Sequence, residues 1–392
     1  MCWRWARTGW KVKRRASSTT RKSASFTWGR SGLTTSGGAV STYADRLRGN
    51  LRVFNEFVAG PGLWILITLL FTYAALFETQ LFVIGLIVGS VLALGSIGLT
   101  LIYGVLRFGN FAHGDLMMMG AYVTFFLLNG TLLGQRRDTN IGVGLNDLPA
   151  GTERLGDLTF GYSFLIAVAL SAVVLAVVCI GLDRLVYRPL RRRGSAIVTF
   201  AIASLGIAFS VRALLLIIWG PDPRTYVSGI HKAQHYPFDV VLKTDQVFIM
   251  VVAIVMAGLV YLLLFRTKLG KAMRAYSDNP DLALVSGINT DRVIFWTWVI
   301  GGSLMAIAGS LLALQANLKP ELGFQLLLPL FAGAILGGLG KPQGALIGAL
   351  VVGVAQEVSV AYISAGYKPA VAFLILILIL LIRPRGLFGD AN

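Results

Sequence analysis

The chain has 392 residues, of which 56% are hydrophobic and only 14% charged, with a mean hydropathy of +0.73; soluble domains carry about 25% charged residues. Its apolar residues fall in charge-free runs of the roughly 18 residues or more that cross about 30 Å of hydrocarbon, which excludes a water-soluble enzyme and makes the bilayer the solvent. The net charge of +17 would suit a nucleic-acid partner, but 12 of the 35 Lys and Arg residues lie in the first 52 positions and most others flank apolar runs. They read as topology signals, and no nucleic acid is expected.

Residues 1 to 44 hold nine Lys/Arg, fourteen Ser/Thr, four Trp and no acid, the first acid being Asp45. Such a segment does not pack by itself. Three readings stand: an organellar transit peptide by composition, a misassigned start, or a basic cytoplasmic tail. Residues 1–56 are therefore set apart from a transmembrane domain over 57–392. Of the two cysteines, Cys2 lies in this segment and Cys179 in an apolar run, so no disulfide framework or paired-Cys metal site is expected.

Ten candidate spans follow: Phe57 to Phe77, Leu81 to Leu106, Leu116 to Gly134, Leu158 to Leu182, Ser195 to Gly220, Gln246 to Phe265, Val293 to Leu318, Leu322 to Gly340, Pro342 to Tyr367, and Pro369 to Ile382. With the N-terminus inside, the inner segments (Arg107, Asp183 to Gly194, Arg266 to Arg292, Lys341 and the tail from Arg383) carry 14 basic residues, and the outer ones carry eight. Both termini are thus expected in the cytoplasm. The pairs Gly85/Gly89, Gly333/Gly337 and Gly344/Gly348 each read G-x-x-x-G, a spacing that lets helix backbones approach closely in lipid. Around Lys341 and Pro342 they predict two tightly packed helices joined by a sharp turn.

Catalytic motifs are missing. The three histidines (His113, His231, His235) form no H-E-x-x-H, and no G-x-S-x-G turn occurs. The run GGLGKP (Gly337 to Pro342) has Ile335 where a phosphate loop needs its first Gly, and Pro342 where it needs Ser or Thr. ATP hydrolysis, metal and cofactor chemistry by this chain are not expected.

The segment Arg107 to Asp115 (RFGNFAHGD) puts Asn110, His113 and Asp115 between two apolar runs, and Arg212 and Glu357 are the charges furthest inside spans. Polar groups at membrane depth line a pathway or pair with one another. These five are the candidate pathway residues. The bland alternative has Asn110 capping the next helix and Asp115 favouring its positive end. Met117, Met118 and Met119 read as helix packing rather than a ligand box. In the loop Arg266 to Arg292, Asn279 or Asp278 with Pro280 starts a short helix, Leu282, Leu284 and Val285 give it an apolar edge, and Gly287 stops it. Such a helix docks into a groove on a soluble subunit or lies on the headgroups.

From Leu81 to Gly389 the chain resembles the permease subunits of bacterial high-affinity branched-chain amino acid ABC transporters. Five stretches carry the resemblance in order: Gly89 to Tyr122 (GSVLALGSIGLTLIYGVLRFGNFAHGDLMMMGAY), Asp183 to Arg191 (DRLVYRPLR), Leu269 to Ile294, Ala332 to Gly353, and Arg383 to Gly389 (RPRGLFG). The resemblance implies an all-α polytopic bundle of about 8–10 spans in the bacterial inner membrane. Implied partners are a second related permease, two cytoplasmic ATP-binding subunits and a periplasmic or extracellular solute-binding protein. The implied ATPase-coupling residues are Gly270, Asp281, Leu282, Ala283, Gly287, Ile288 and Asn289. Asp281, Leu282, Ala283 and Gly287 follow the E-A-A-x-x-x-G spacing, with Asp for Glu and Leu for the first Ala. The span Phe57 to Phe77 has no family counterpart. A urea or short-chain amide permease of the same family, an ion-coupled secondary transporter and a membrane scaffold are the competing readings. A lone deep acid, Glu357, speaks against ion coupling.

Overall fold

A computed structural model describes residues 62–134, 137–140, 144–149, 151–226, 233–236 and 240–389. The basic segment 1–56 and the start of the first expected span lie outside the described residues.

In hydrocarbon each backbone N–H and C=O needs a partner within the segment, so an apolar run of this length becomes a helix. Among the described residues, ten helices of 15 residues or more fall on the ten expected spans. They are α1 (Leu63–Phe77), α2 (Thr79–Leu106), α3 (His113–Asn129), α4 (Tyr162–Leu182), α6 (Ile197–Trp219), α7 (Thr244–Arg266), α10 (Thr290–Gln315), α11 (Leu322–Gly337), α12 (Pro342–Ser359) and α13 (Lys368–Ile382). Shorter helices lie between them: α5 (Arg188–Arg192), α8 (Lys268–Asp278) and α9 (Pro280–Val285). Among the described residues, six units are long and apolar enough to cross a membrane by themselves: α2, α4 through α5, α6, α7, α10, and α13 with its preceding turn.

Several expected boundaries are corrected. The third span starts at His113 rather than Leu116 and stops at Asn129, because Gly130 takes a left-handed φ of 62°. Beyond it Thr131–Gly134 (β1) pairs antiparallel with Arg137–Asn140 (β2). The expected loop Asp183 to Gly194 is mostly helical. α4 runs through a π turn (Asp183–Tyr187) into α5, held by the two Arg191–Asp183 hydrogen bonds of 2.8 and 3.0 Å. The ninth span ends at Ser359, not Tyr367, and the seventh at Gln315, not Leu318.

α2 and α10 form the centre of the bundle, with 67% and 72% of their apolar windows buried, whereas α6 and α13 turn most of their surface outward at 22% and 11%. The G-x-x-x-G pairs are the contacts. A Cβ on Gly85 would lie 2.7 Å from Val354 Cα, and one on Gly353 would lie 2.4 Å from Gly89 Cα, so α12 lies directly on α2. Gly337 faces Gly344 in the same manner, which confirms the tight α11–α12 pair. A Cβ on Gly348 would come 2.2 Å from Gly333 O and 2.6 Å from Gly337 N, both backbone atoms that cannot move aside. We predict that Gly348→Val separates α12 from α11 and loses the monodisperse species in detergent, as read by size-exclusion chromatography.

The loops gather at two ends. At one, Arg107 meets α8, Gly104 meets Gly340, Arg188 meets Asp291, and Leu387 N–H donates to Leu336 O at 2.7 Å. This basic end collects the segments assigned to the inside. The opposite end carries β1–β2, the hairpin of Gln234–Tyr236 (β3) and Val240–Leu242 (β4), the backbone bridge Arg224–Leu318, and Lys368.

Candidate functional site

The chain leaves α2 through Arg107, whose φ of 57° is the one positive value outside glycine among the described residues. Left-handed backbone costs a non-glycine residue about 1–2 kcal/mol. Here it is held by the guanidinium, which donates to Ser277 O (3.1 Å) and Asp278 O (3.2 Å) at the C-terminal end of α8. From there the chain turns back into the bundle. Phe108 is buried against Tyr187 and Phe200, and Phe111 N–H donates to Ser204 Oγ at 3.1 Å, inside α6.

α3 therefore starts at depth. His113 Nε2 lies 2.8 Å from Gly95 O. Gly95 sits eleven residues before the end of α2, about 16 Å along the axis at roughly 1.5 Å per residue. A helix that begins inside needs only 17 residues to reach the far end. A carbonyl can only accept, so Nε2 carries the proton and Nδ1 is left with a lone pair. That Nδ1 is buried without a partner, as are Asn110 Nδ2 and Thr100 Oγ1.

Asn110 does not cap α3, as the bland alternative had it. Its Oδ1 accepts from Ala112 N–H (3.1 Å) and from Tyr187 O–H (3.4 Å), closing the turn before the helix. Asp115 does occupy the first turn, and Arg212 grips it through Nε and Nη2 at 2.8–3.0 Å. Asp115 is 1% exposed and Arg212 17%, with the guanidinium over the Phe324 ring at 4.6 Å. Asn110, His113, Asp115 and Arg212 thus share one interior region. Glu357 stands apart. It lies near the end of α12 and pairs with Lys368 Nζ at 2.7 Å, a bond at the opposite end rather than a deep charge. Met117 packs at Gly95 and Gly309 and Met118 at Gly323, as core.

The loop Arg266 to Arg292 starts a helix earlier than expected. Thr267 Oγ1 accepts from Gly270 N–H at 3.0 Å and caps α8. Leu269, Met273 and Tyr276 turn the apolar face of α8 inward, a helical spacing legible in the sequence but not used there. Gly270 is buried. A Cβ would sit 2.3 Å from the carbonyl oxygens of Leu263 and Leu264, so Gly270 lets α8 pack against α7.

Asn279, rather than Asp278, caps α9, accepting from Asp281 and Leu282 N–H at 3.1 Å, with Pro280 in the first turn. The helix ends in a Schellman cap: Ile288 N–H donates to Ala283 O and Gly287 N–H to Leu284 O, both at 3.0 Å, with Gly287 at φ 79°. Leu282, Leu284 and Val285 are 63%, 60% and 88% exposed, a bare apolar edge beside Asp281. Ala283 is turned inward at 3% exposure and is not on that edge. Ile288 is half-buried, and Asn289 Oδ1 caps α10 through Arg292 N–H at 3.0 Å.

The second sequence stretch joins the first and the loop. Asp183 accepts from Trp298 Nε1–H at 2.8 Å, Tyr187 stacks on Trp298 at 5.3 Å and bonds Asn110, and Arg188 pairs with Asp291 at 3.0 Å. A cavity of about 330 Å³ opens at the basic end between α2, α8 and the α11–α12 turn, with Thr100, Arg274 and Gln343 on its wall. No group of three or more metal-ligating side chains occurs among the described residues.

The family described as "Branched-chain amino acid transport system / permease component" matches residues 81–382, leaving α1 outside, as the sequence predicts. The chain is 33% identical over 320 residues to the high-affinity branched-chain amino acid transport system permease protein BraD of Pseudomonas aeruginosa, covering 79% of this chain and 95% of that protein. It is 30% identical over 311 residues to the corresponding protein LivH of Escherichia coli K12, covering 78% and 93%. A weaker match, 29% over 196 residues, covers 47% of this chain and 59% of the ribose import permease protein RbsC of Bacillus subtilis. No solved structure matches the chain. Its apolar helices, its basic end and the convergence of its five sequence stretches agree with these matches: the chain is a multi-pass membrane protein and belongs to the family of branched-chain amino acid transport permeases.

Proposed function

We propose that this chain is the membrane-spanning subunit of an ATP-driven importer that moves branched-chain amino acids across the bacterial inner membrane. It would work with a second related permease, two cytoplasmic ATP-binding subunits and an external solute-binding protein. The names of BraD and LivH support the cargo, since both are covered almost end to end. The observation that carries the mechanism is the tie between α9 and the interior. The exposed edge Leu282–Leu284–Val285 ends in the cap at Gly287, α8 joins α9 directly through Asn279, and Arg107 links the end of α8 to the loop that holds Asn110.

Motion of α9 against an ATPase groove is carried through Arg107 into that loop, and through Asp291 and Arg188 into α5. Asn110 and His113 then shift against Gly95, and the Asp115–Arg212 pair reorients. The path follows α3. Among the described residues, the buried side-chain groups without a partner are on Thr100, Asn110, His113, Tyr122, Arg224 and Gln315. They run from the 330 Å³ cavity at the basic end to the opposite end. Unsatisfied polar groups at depth are costly unless a polar cargo or water serves them.

The basic end faces the cytoplasm, where the ATPases bind, and both termini lie there by the Lys/Arg bias. Residues 1–56 stand outside the permease domain 57–392. The chain performs no covalent chemistry. Purified alone it is expected to show no ATP hydrolysis in a phosphate-release assay, and hydrolysis by the isolated chain would refute the division of labour.

A further inference from the structure

We propose that the opposite, solute-facing end holds a recognition site for the zwitterionic head of a free α-amino acid, formed by Arg224, Glu321, Gln315 and Tyr122. This deepens the reading of the chain as an amino acid permease and rests on it.

Residues 224–226 and 315–321 are clamped by the backbone bridge Arg224–Leu318, with N–H to O distances of 2.9 and 2.7 Å in the two directions. The clamp brings together side chains from α3, the segment after α6, the end of α10 and the start of α11. Three of their polar atoms are buried and lack a partner: Arg224 Nε, Gln315 Oε1 and Tyr122 Oη. Tyr122 is fully buried and packs on Trp219 at 5.2 Å, and Glu321, the exposed residue that opens α11, lies three positions beyond the bridge residue Leu318. Beside the clamp a cavity of about 110 Å³ is lined by Gln315 together with Tyr226, Asn317 and Lys243; a single water needs only about 10–15 Å³.

The chemistry is that of a zwitterion. A guanidinium with a free N–H matches a carboxylate. A carboxylate and an amide oxygen match an ammonium. The phenol can serve either, and the Trp219 and Tyr226 rings offer apolar wall to a branched side chain. The site would take the solute as the binding protein releases it, and Tyr122 leads along α3 towards His113.

The test uses the assembled transporter in proteoliposomes with saturating binding protein and radiolabelled leucine. Arg224→Gln and Glu321→Gln are each expected to lower ATP-dependent uptake at least about tenfold, with co-purification of the ATPases unchanged. Arg224→Lys, which keeps the charge, should recover part of the loss. Uptake at the wild-type rate in both neutral variants would overturn the site, as would loss of uptake matched by loss of assembly. If the wild-type assembly takes up no leucine, the cargo reading itself fails, and the site falls with it.

Discussion

Gly287→Val is expected to abolish transport in the assembled complex while leaving the helices inserted and folded. Gly287 sits at φ 79° with open space around the position of a Cβ, so the substitution meets no clash and acts through the backbone alone. The left-handed conformation costs a substituted residue about 1–2 kcal/mol. The chain would escape that strain by opening the two 3.0 Å cap bonds to Ala283 and Leu284, and the end of α9 would then turn Leu282, Leu284 and Val285 away from the ATPase groove. Asn tolerates the left-handed region, so Gly287→Asn should keep most activity, Gly287→Ala less and Gly287→Val almost none. Uptake and binding-protein-stimulated ATP hydrolysis should fall together in that order. Full transport by Gly287→Val would show that α9 does not carry the coupling.

The second large effect is at the interior ion pair. Asp115→Asn leaves the Arg212 guanidinium without its acid, and Arg212→Met leaves a carboxylate only 1% exposed without a base. Breaking a buried pair from one side costs about 3–5 kcal/mol, whereas replacing both members with apolar groups is often neutral or stabilising. Each single variant should lower the thermal unfolding midpoint in detergent, and Asp115→Leu with Arg212→Met should regain most of it. Leucine uptake should stay lost in the double variant, because the proposed path passes the pair, which also joins α3 to α6. A double variant that recovers both stability and uptake would reduce the pair to a structural link.

Much of the fold was legible because the bilayer leaves an apolar run little choice, and the ten expected spans each hold a helix. What stayed hidden depended on contacts distant in sequence. Asp115 and Arg212 are 97 positions apart, and nothing in either run marks the other as its partner. Glu357 looked deep because its neighbours are apolar, yet Lys368 at the start of α13 meets it. Asp183 to Arg192 is rich in charge and reads as a loop, but Arg191 neutralises Asp183, Trp298 donates a hydrogen bond to it, and the helix continues. The cap at Gly287 was readable, since a glycine at that spacing has one obvious use. The left-handed Arg107 was not, because its conformation is held by a carbonyl of α8 that lies 170 positions away in the sequence. The clamp of Arg224 on Leu318 likewise joins two loops that match no sequence signature.

ATP-dependent uptake tests the central claim most directly. Proteoliposomes holding this chain with its second permease and ATP-binding subunits would be loaded with ATP and supplied outside with the binding protein and radiolabelled leucine. Leucine should accumulate only when internal ATP, the binding protein and the native coupling helix are all present, and should stop with Gly287→Val. Accumulation that continues without ATP and collapses when an ion gradient is dissipated would identify a secondary transporter and contradict it.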